Sequence, residues 1–216
     1  MNRNTVFVLA LVVLLLMFVV GRQFYTTSQN EQAEAAAPAT MATLLRPHSP
    51  SIGPANAPVV IVEFLDPACE TCATFYPMVK DLMAANSDKI RLVVRYAPFH
   101  QGSDTVVAAL EASRRQDKFW PTLEALLSTQ ASWAPNHTSQ MGLAWPFLEG
   151  FGLDVAQVRR DMLDPEVASV IAQDLADARA LNVTKTPEYF VNGRPLPSFG
   201  WAQLKALVDD ALRAAR

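Results

Sequence analysis

Val59-Val60-Ile61-Val62-Glu63-Phe64-Leu65-Asp66-Pro67-Ala68-Cys69-Glu70-Thr71-Cys72 is the stretch on which the fold turns. Its first seven residues are a β-branched, apolar run of the kind that makes a buried strand. Pro67 ends it. A helix is expected from near Cys69 to about Ala85, with Phe75, Val79, Leu82 and Met83 at helical spacing and a kink at Pro77. A helix start offers unpaired N–H groups and the positive end of the peptide dipole. Both favour thiolate over thiol, and the thiolate is the nucleophile. The spacing places the second sulfur one turn behind the first. Cys69 is therefore expected as the exposed attacking sulfur and Cys72 as the buried resolving one.

Those two are the only cysteines among 216 residues, which excludes a multi-bridge scaffold. Half of the residues are hydrophobic, so the chain can build a core. A formal net charge of -3 supplies no basic excess for neutralising phosphates and argues against nucleic-acid binding. Zinc would need two further ligands, and the three histidines, His48, His100 and His137, form no H-x-x-x-H. A Cu(I) site on two thiolates needs fewer ligands and stands as the alternative to redox chemistry. A permanent disulfide across so short a loop gains little entropy.

Downstream, Ile90 to Ala97 reads as a second strand, closed by Pro98. A long helical region follows, with Ser103 or Asp104 as a cap, a capping pair at Asp154 and Gln157, and a helix opened by Asp164-Pro165-Glu166. Glu188 to Val191 reads as a strand, Asn192-Gly193 as a two-residue turn, and Arg194 to Pro197 as a return strand at an edge. A last helix carries Leu204, Leu207, Val208, Ala211 and Leu212 on one face.

Upstream, Val6 to Val20 is an uncharged apolar run between Arg3 and Arg22. As a helix it approaches the roughly 30 Å thickness of a bilayer core. No small-residue cleavage site closes it, so residues 1–22 read as an uncleaved signal anchor, with a cleaved signal peptide as the alternative. Residues 23–57, rich in polar residues, alanine and proline, read as a flexible linker. The catalytic domain is then 58–216, with a helical insertion over about 100–182.

The quoted stretch, extended to Ala57 and Pro58, resembles the active-site segment of DsbA-like thiol:disulfide oxidoreductases. Lys118-Phe119-Trp120 is similar to a recurring element of their helical insertion. Val183-Thr184-Lys185-Thr186-Pro187-Glu188-Tyr189-Phe190-Val191 resembles their second signature. The resemblance covers roughly Ile52 to Arg216. It implies an α/β thioredoxin-like fold with an all-helical insertion, no organic cofactor and no metal. It also implies exported protein substrates carrying thiols or disulfides, a membrane redox partner, and a place in the bacterial inner membrane. The anchor would span it once, with the catalytic domain in the periplasm.

The resemblance assigns roles to residues. Thr186-Pro187 would be a cis dipeptide whose backbone edge receives a substrate strand beside Cys69. Glu63 would sit below Cys72 and move its proton, with Lys185 or Arg95 as its ion-pair partner. Glu70 and Thr71 stand where the strongest oxidants carry proline and histidine. A glutamate beside Cys69 repels its thiolate, so the pair is expected to be less oxidising than those enzymes.

Overall fold

The computed structural model describes residues 2–215. Its elements are α1 (Arg3–Leu44), β1 (Ser51–Ile52), β2 (Val59–Leu65), α2 (Glu70–Ala84), β3 (Ile90–Tyr96), α3 (Ser103–Ala112), α4 (Phe119–Ser128), α5 (Gln130–Trp133), α6 (Met141–Gly150), α7 (Val155–Asp161), α8 (Pro165–Ala180), β4 (Glu188–Val191), β5 (Arg194–Pro195) and α9 (Trp201–Ala214). Among the described residues five strands form one sheet in the order β1-β3-β2-β4-β5. The central strands β2 and β3 run parallel, joined over one face by α2, while β4, β5 and β1 are antiparallel to their neighbours. This is the thioredoxin-like arrangement that the family resemblance implies.

Alternation along the strands divides the core. Ile61, Glu63 and Leu65 face α2, α9 and the helices between β3 and β4. Val62 and Phe64 face the other way, with Val93, Phe190, Ala178, Val183 and Leu44. The local signals hold where chemistry is local. Asp154 accepts from the Gln157 N–H and Asp164 from the Glu166 N–H, each capping its helix. Asn192 and Gly193, at φ 48° and 83°, make the tight turn.

The stretch 23–57 departs from the flexible linker expected of it. The first helix runs unbroken from the apolar segment to Leu44. The alanines of Glu34–Ala39 are strong helix formers, and their small side chains let the helix close on the β4–β5 turn. At Gly193 an added Cβ would meet the Ala37 carbonyl oxygen and the Met41 side chain. Arg95 donates to the carbonyls of Thr43 (3.0 Å) and Leu44 (2.8 Å), groups that a helix C-terminus otherwise leaves unpaired. Beyond it, Ser51 and Ile52 pair with β3. The structured unit therefore begins well before residue 58. At the other end of α1 the side chains from Leu11 to Val20 are exposed, and the helix is long and apolar enough to cross a membrane by length and composition.

Candidate functional site

Cys69 is the N-cap of α2. The turn before it is made by Asp66, whose carbonyl accepts from the Cys69 N–H and whose Oδ1 accepts from the Ala68 N–H at 2.9 Å. Asp66 is fully buried and also accepts from the N–H groups of Phe99 (2.8 Å) and His100 (2.9 Å), while its Oδ2 lies 2.7 Å from the His100 ring. The Ser103 hydroxyl donates to it as well. That hydroxyl is thus not the helix cap expected of it; Gly102 occupies the cap of α3.

The Cys69 sulfur lies 3.2 Å from the carbonyl oxygen of Thr186, and the Thr186–Pro187 bond is cis. Both cysteines are free thiols. Cys72 is fully buried, one turn behind, as the spacing predicts. Cys69 is more covered than expected, with only 3% of its surface exposed, because the cis-proline loop closes over it. The Cys69 thiol is held down at about 5, first by the hydrogen bond from the Cys72 thiol, with further help from the Thr186 side chain and the N–H groups of Cys72 and Thr71, against the opposing effect of burial. Cys72 is pushed the other way, chiefly by burial, then by its bond to Cys69 and by the nearby Glu63 charge. The two sulfurs are therefore differentiated, one as thiolate and one as thiol.

Glu63 is fully buried on the face of β2 that packs against α2, the helix that carries Cys72. Burial pushes its carboxyl up to about 8, opposed by the hydrogen bond it accepts from the Tyr189 hydroxyl at 3.0 Å. Its second oxygen has no partner among the described residues. The ion pair expected for Glu63 does not form. Arg95 pairs in register with Phe64, on the opposite face, and stacks 5.4 Å from that ring. There it bonds Asp174 and Asp177. Lys185 lies over the ring of Phe199. Glu70 is exposed on the flank of α2 and Thr71 is half-buried, so of the two only the Thr71 backbone bears on the Cys69 sulfur.

Three residues of this neighbourhood escaped sequence reasoning. Asp66 had a local sign, since Asp-Pro favours a turn. Tyr189 and Gln130 had none, because their partners are 126 and 61 or more residues away.

Two cysteines three apart at a strand–turn–helix junction, under a cis-proline loop, make the arrangement of a thioredoxin-like redox site. A thioredoxin family model matches residues 46–210, most of the chain. A thioredoxin-like oxidoreductase from Silicibacter pomeroyi is 32% identical and superposes with a TM-score of 0.69 over 79% of this chain and 96% of that one. The chain belongs to the thioredoxin family. The thiol-disulfide exchange protein alpha-DsbA2 from Wolbachia pipientis shares the fold at 18% identity, with a TM-score of 0.70 over 87% of this chain and 98% of that one. A probable disulfide bond formation protein D from Bacillus anthracis is 29% identical over 76% of this chain and 78% of its own length. A protein of Herminiimonas arsenicoxydans named Na(+)/H(+) antiporter NhaA is 33% identical over 76% of this chain, but the chain spans only 26% of that relative's length.

Proposed function

We propose that this chain exchanges dithiols and disulfides with exported proteins, from a domain held at the outer face of a bacterial inner membrane by α1. The observation that carries the reading is the Cys69 sulfur at a helix N-terminus, 3.2 Å from the Thr186 carbonyl, with buried Cys72 behind it. In the reducing direction the Cys69 thiolate attacks a substrate disulfide, forming one S–S bond and releasing one substrate thiolate. Cys72 then gives its proton to Glu63 and attacks Cys69. The second substrate sulfur leaves, the enzyme pair is oxidised by two electrons and the substrate is reduced by two. The oxidising direction is the reverse, with Glu63 returning the proton as Cys72 leaves. A Glu63 carboxyl titrating near 8 can take either part at neutral pH.

The backbone at Thr186 and Pro187 is the edge where an extended substrate segment pairs, and a membrane redox partner resets the cysteines. Glu70 and Thr71, lacking a cation beside the thiolate, make the pair less oxidising than the strongest oxidases. The full burial of Cys72 supports exchange over copper delivery, because a metal held by both thiolates would have to reach a sulfur with no exposed surface.

The test is to express Cys72→Ala in a bacterial host and isolate its adducts. Mixed disulfides to exported proteins through Cys69 are expected, absent from Cys69→Ala. Absence of adducts, with stoichiometric Cu(I) binding by the wild type, would overturn the reading in favour of the copper chaperone.

A further inference from the structure

Gln130 opens α5 in the helical insertion and is buried. Its Nε2 lies 2.6 Å from the carbonyl oxygen of Pro67 and 3.0 Å from that of Cys69. Two carbonyls can only accept, so the nitrogen end of the amide faces the turn and both of its hydrogens are used. The Cys69 carbonyl also accepts the first helical hydrogen bond, from the Ala73 N–H at 3.2 Å. Gln130 is thus a second donor on the group that starts α2. Asp66 grips the same turn through the Ala68 N–H and ties it to the segment after β3. Between the two, the peptide planes from Pro67 to Cys69 have little freedom to rotate. An uncharged donor achieves this without placing a charge beside the sulfur.

We propose that Gln130 is a positioning residue for disulfide exchange: by holding the Pro67 and Cys69 carbonyls, it fixes the turn that sets the Cys69 sulfur at the start of α2, beside the Thr186 carbonyl. The insertion thereby acts on the reactive thiol, beyond covering the sheet. This inference rests on the reading of Cys69 as the nucleophile.

The test uses the full-length reduced protein in detergent, with the pH profile of Cys69 alkylation by iodoacetamide and equilibration with glutathione as readouts. Gln130→Met keeps the length and removes both donors. Gln130→Glu keeps the shape and turns acceptors toward acceptors. Trp133→Phe, on the same short helix, removes a 3.0 Å hydrogen bond from Nε1 to the Leu126 carbonyl that does not involve the Pro67–Cys69 turn. In both Gln130 variants the alkylation midpoint is expected to rise, slowing the reaction at pH 5 by about fivefold. Trp133→Phe is expected to lower thermal stability and leave the profile in place. If Gln130→Met does not fold, Gln130→Asn, whose amide is too short to reach, carries the same expected shift. A Gln130 variant that folds and keeps the wild-type profile and potential would overturn the inference, as would an equal shift in Trp133→Phe. A wild type with an ordinary thiol profile and no trapped adducts overturns the exchange reading, and this inference with it. A low wild-type midpoint with trapped adducts, unmoved by Gln130 substitution, overturns this inference alone.

Discussion

The Tyr189 hydroxyl donates to Oε1 of Glu63 at 3.0 Å, across adjacent antiparallel strands on which the two residues are paired in register. It is the one hydrogen bond on a buried carboxyl whose other oxygen has no partner among the described residues, and burial prevails. The folded protein keeps the Glu63 proton up to about pH 8, while the unfolded chain releases it near the ordinary 4.5. Between those values the folded state binds more protons, so stability falls as pH rises through the window. Glu63→Gln is expected to remove that fall, which is on the order of a few kcal/mol. Denaturation at pH 5 and pH 8.5 measures it, and an unchanged slope in the variant would refute the assignment. In exchange assays the same variant should resolve mixed disulfides about tenfold more slowly, or worse.

Cys69 has the opposite sign. Its folded value of about 5 lies below the ordinary 9.0, so the thiolate's stabilisation is complete above the unfolded value and lost as pH falls through about 5. The reduced protein should gain on the oxidised one as pH rises from 5 to 9. Melting curves of both forms at pH 4.5 and pH 7.5 check this, and a gap independent of pH would contradict it. Cys72→Ala removes the largest contribution, so the Cys69 alkylation midpoint should rise by about one unit or more.

The reduction potential is expected between those of thioredoxin and the strongest oxidases, about -270 and -120 mV. Thr71→His, which brings a cation to the first turn of α2, should raise it by tens of millivolts through a lower Cys69 pKa. Glu70→Gln should change it little, because the Glu70 side chain is exposed. Equilibration against glutathione decides. A wild-type value near -120 mV would defeat this account of Glu70 and Thr71.

Arg95 is fully buried and bonds Asp174 at 2.9 Å and Asp177 at 2.5 Å, besides the end of α1. Arg95→Met takes the shared buried cation from Asp174 and Asp177 and the donor from two helix carbonyls, and is expected to cost about 3–5 kcal/mol. Lys205→Met removes one partner of an exposed pair with Asp209 and should cost under about 1 kcal/mol. Comparable losses in the two variants would count against the buried network.

Gly193 has φ 83° and no room for a Cβ beneath Ala37 and Met41. Gly193→Ala is expected to push α1 off the β4–β5 turn and cost about 1 kcal/mol or more. Limited proteolysis between Arg22 and Leu44 should speed up severalfold. Unchanged cleavage would mean that this contact does not hold the helix.

The site was legible where the chemistry is contiguous. A β-branched run, Pro67 and two cysteines at helical spacing placed the sulfurs, and Asn192-Gly193 placed the hairpin. It was illegible where a side chain's partner lies far away in sequence. Arg95 was a reasonable partner for Glu63 by charge, but register with Phe64 turns it to the opposite face. The polar, alanine-rich stretch looked unable to fold because its partner face, the turn at Gly193, lies more than 150 residues on.

The sequence by itself determined the strand–helix junction, the C-x-x-C at its start, the hairpin and the apolar N-terminal run, since periodicity, proline, glycine and caps act over a few residues. Only the tertiary structure decided that Tyr189 holds Glu63, that Gln130 and Asp66 fasten the turn before Cys69, and that Arg95 binds the end of α1. Each of those choices is made by a buried polar group finding a partner once water is excluded, and which partner is near depends on register and packing.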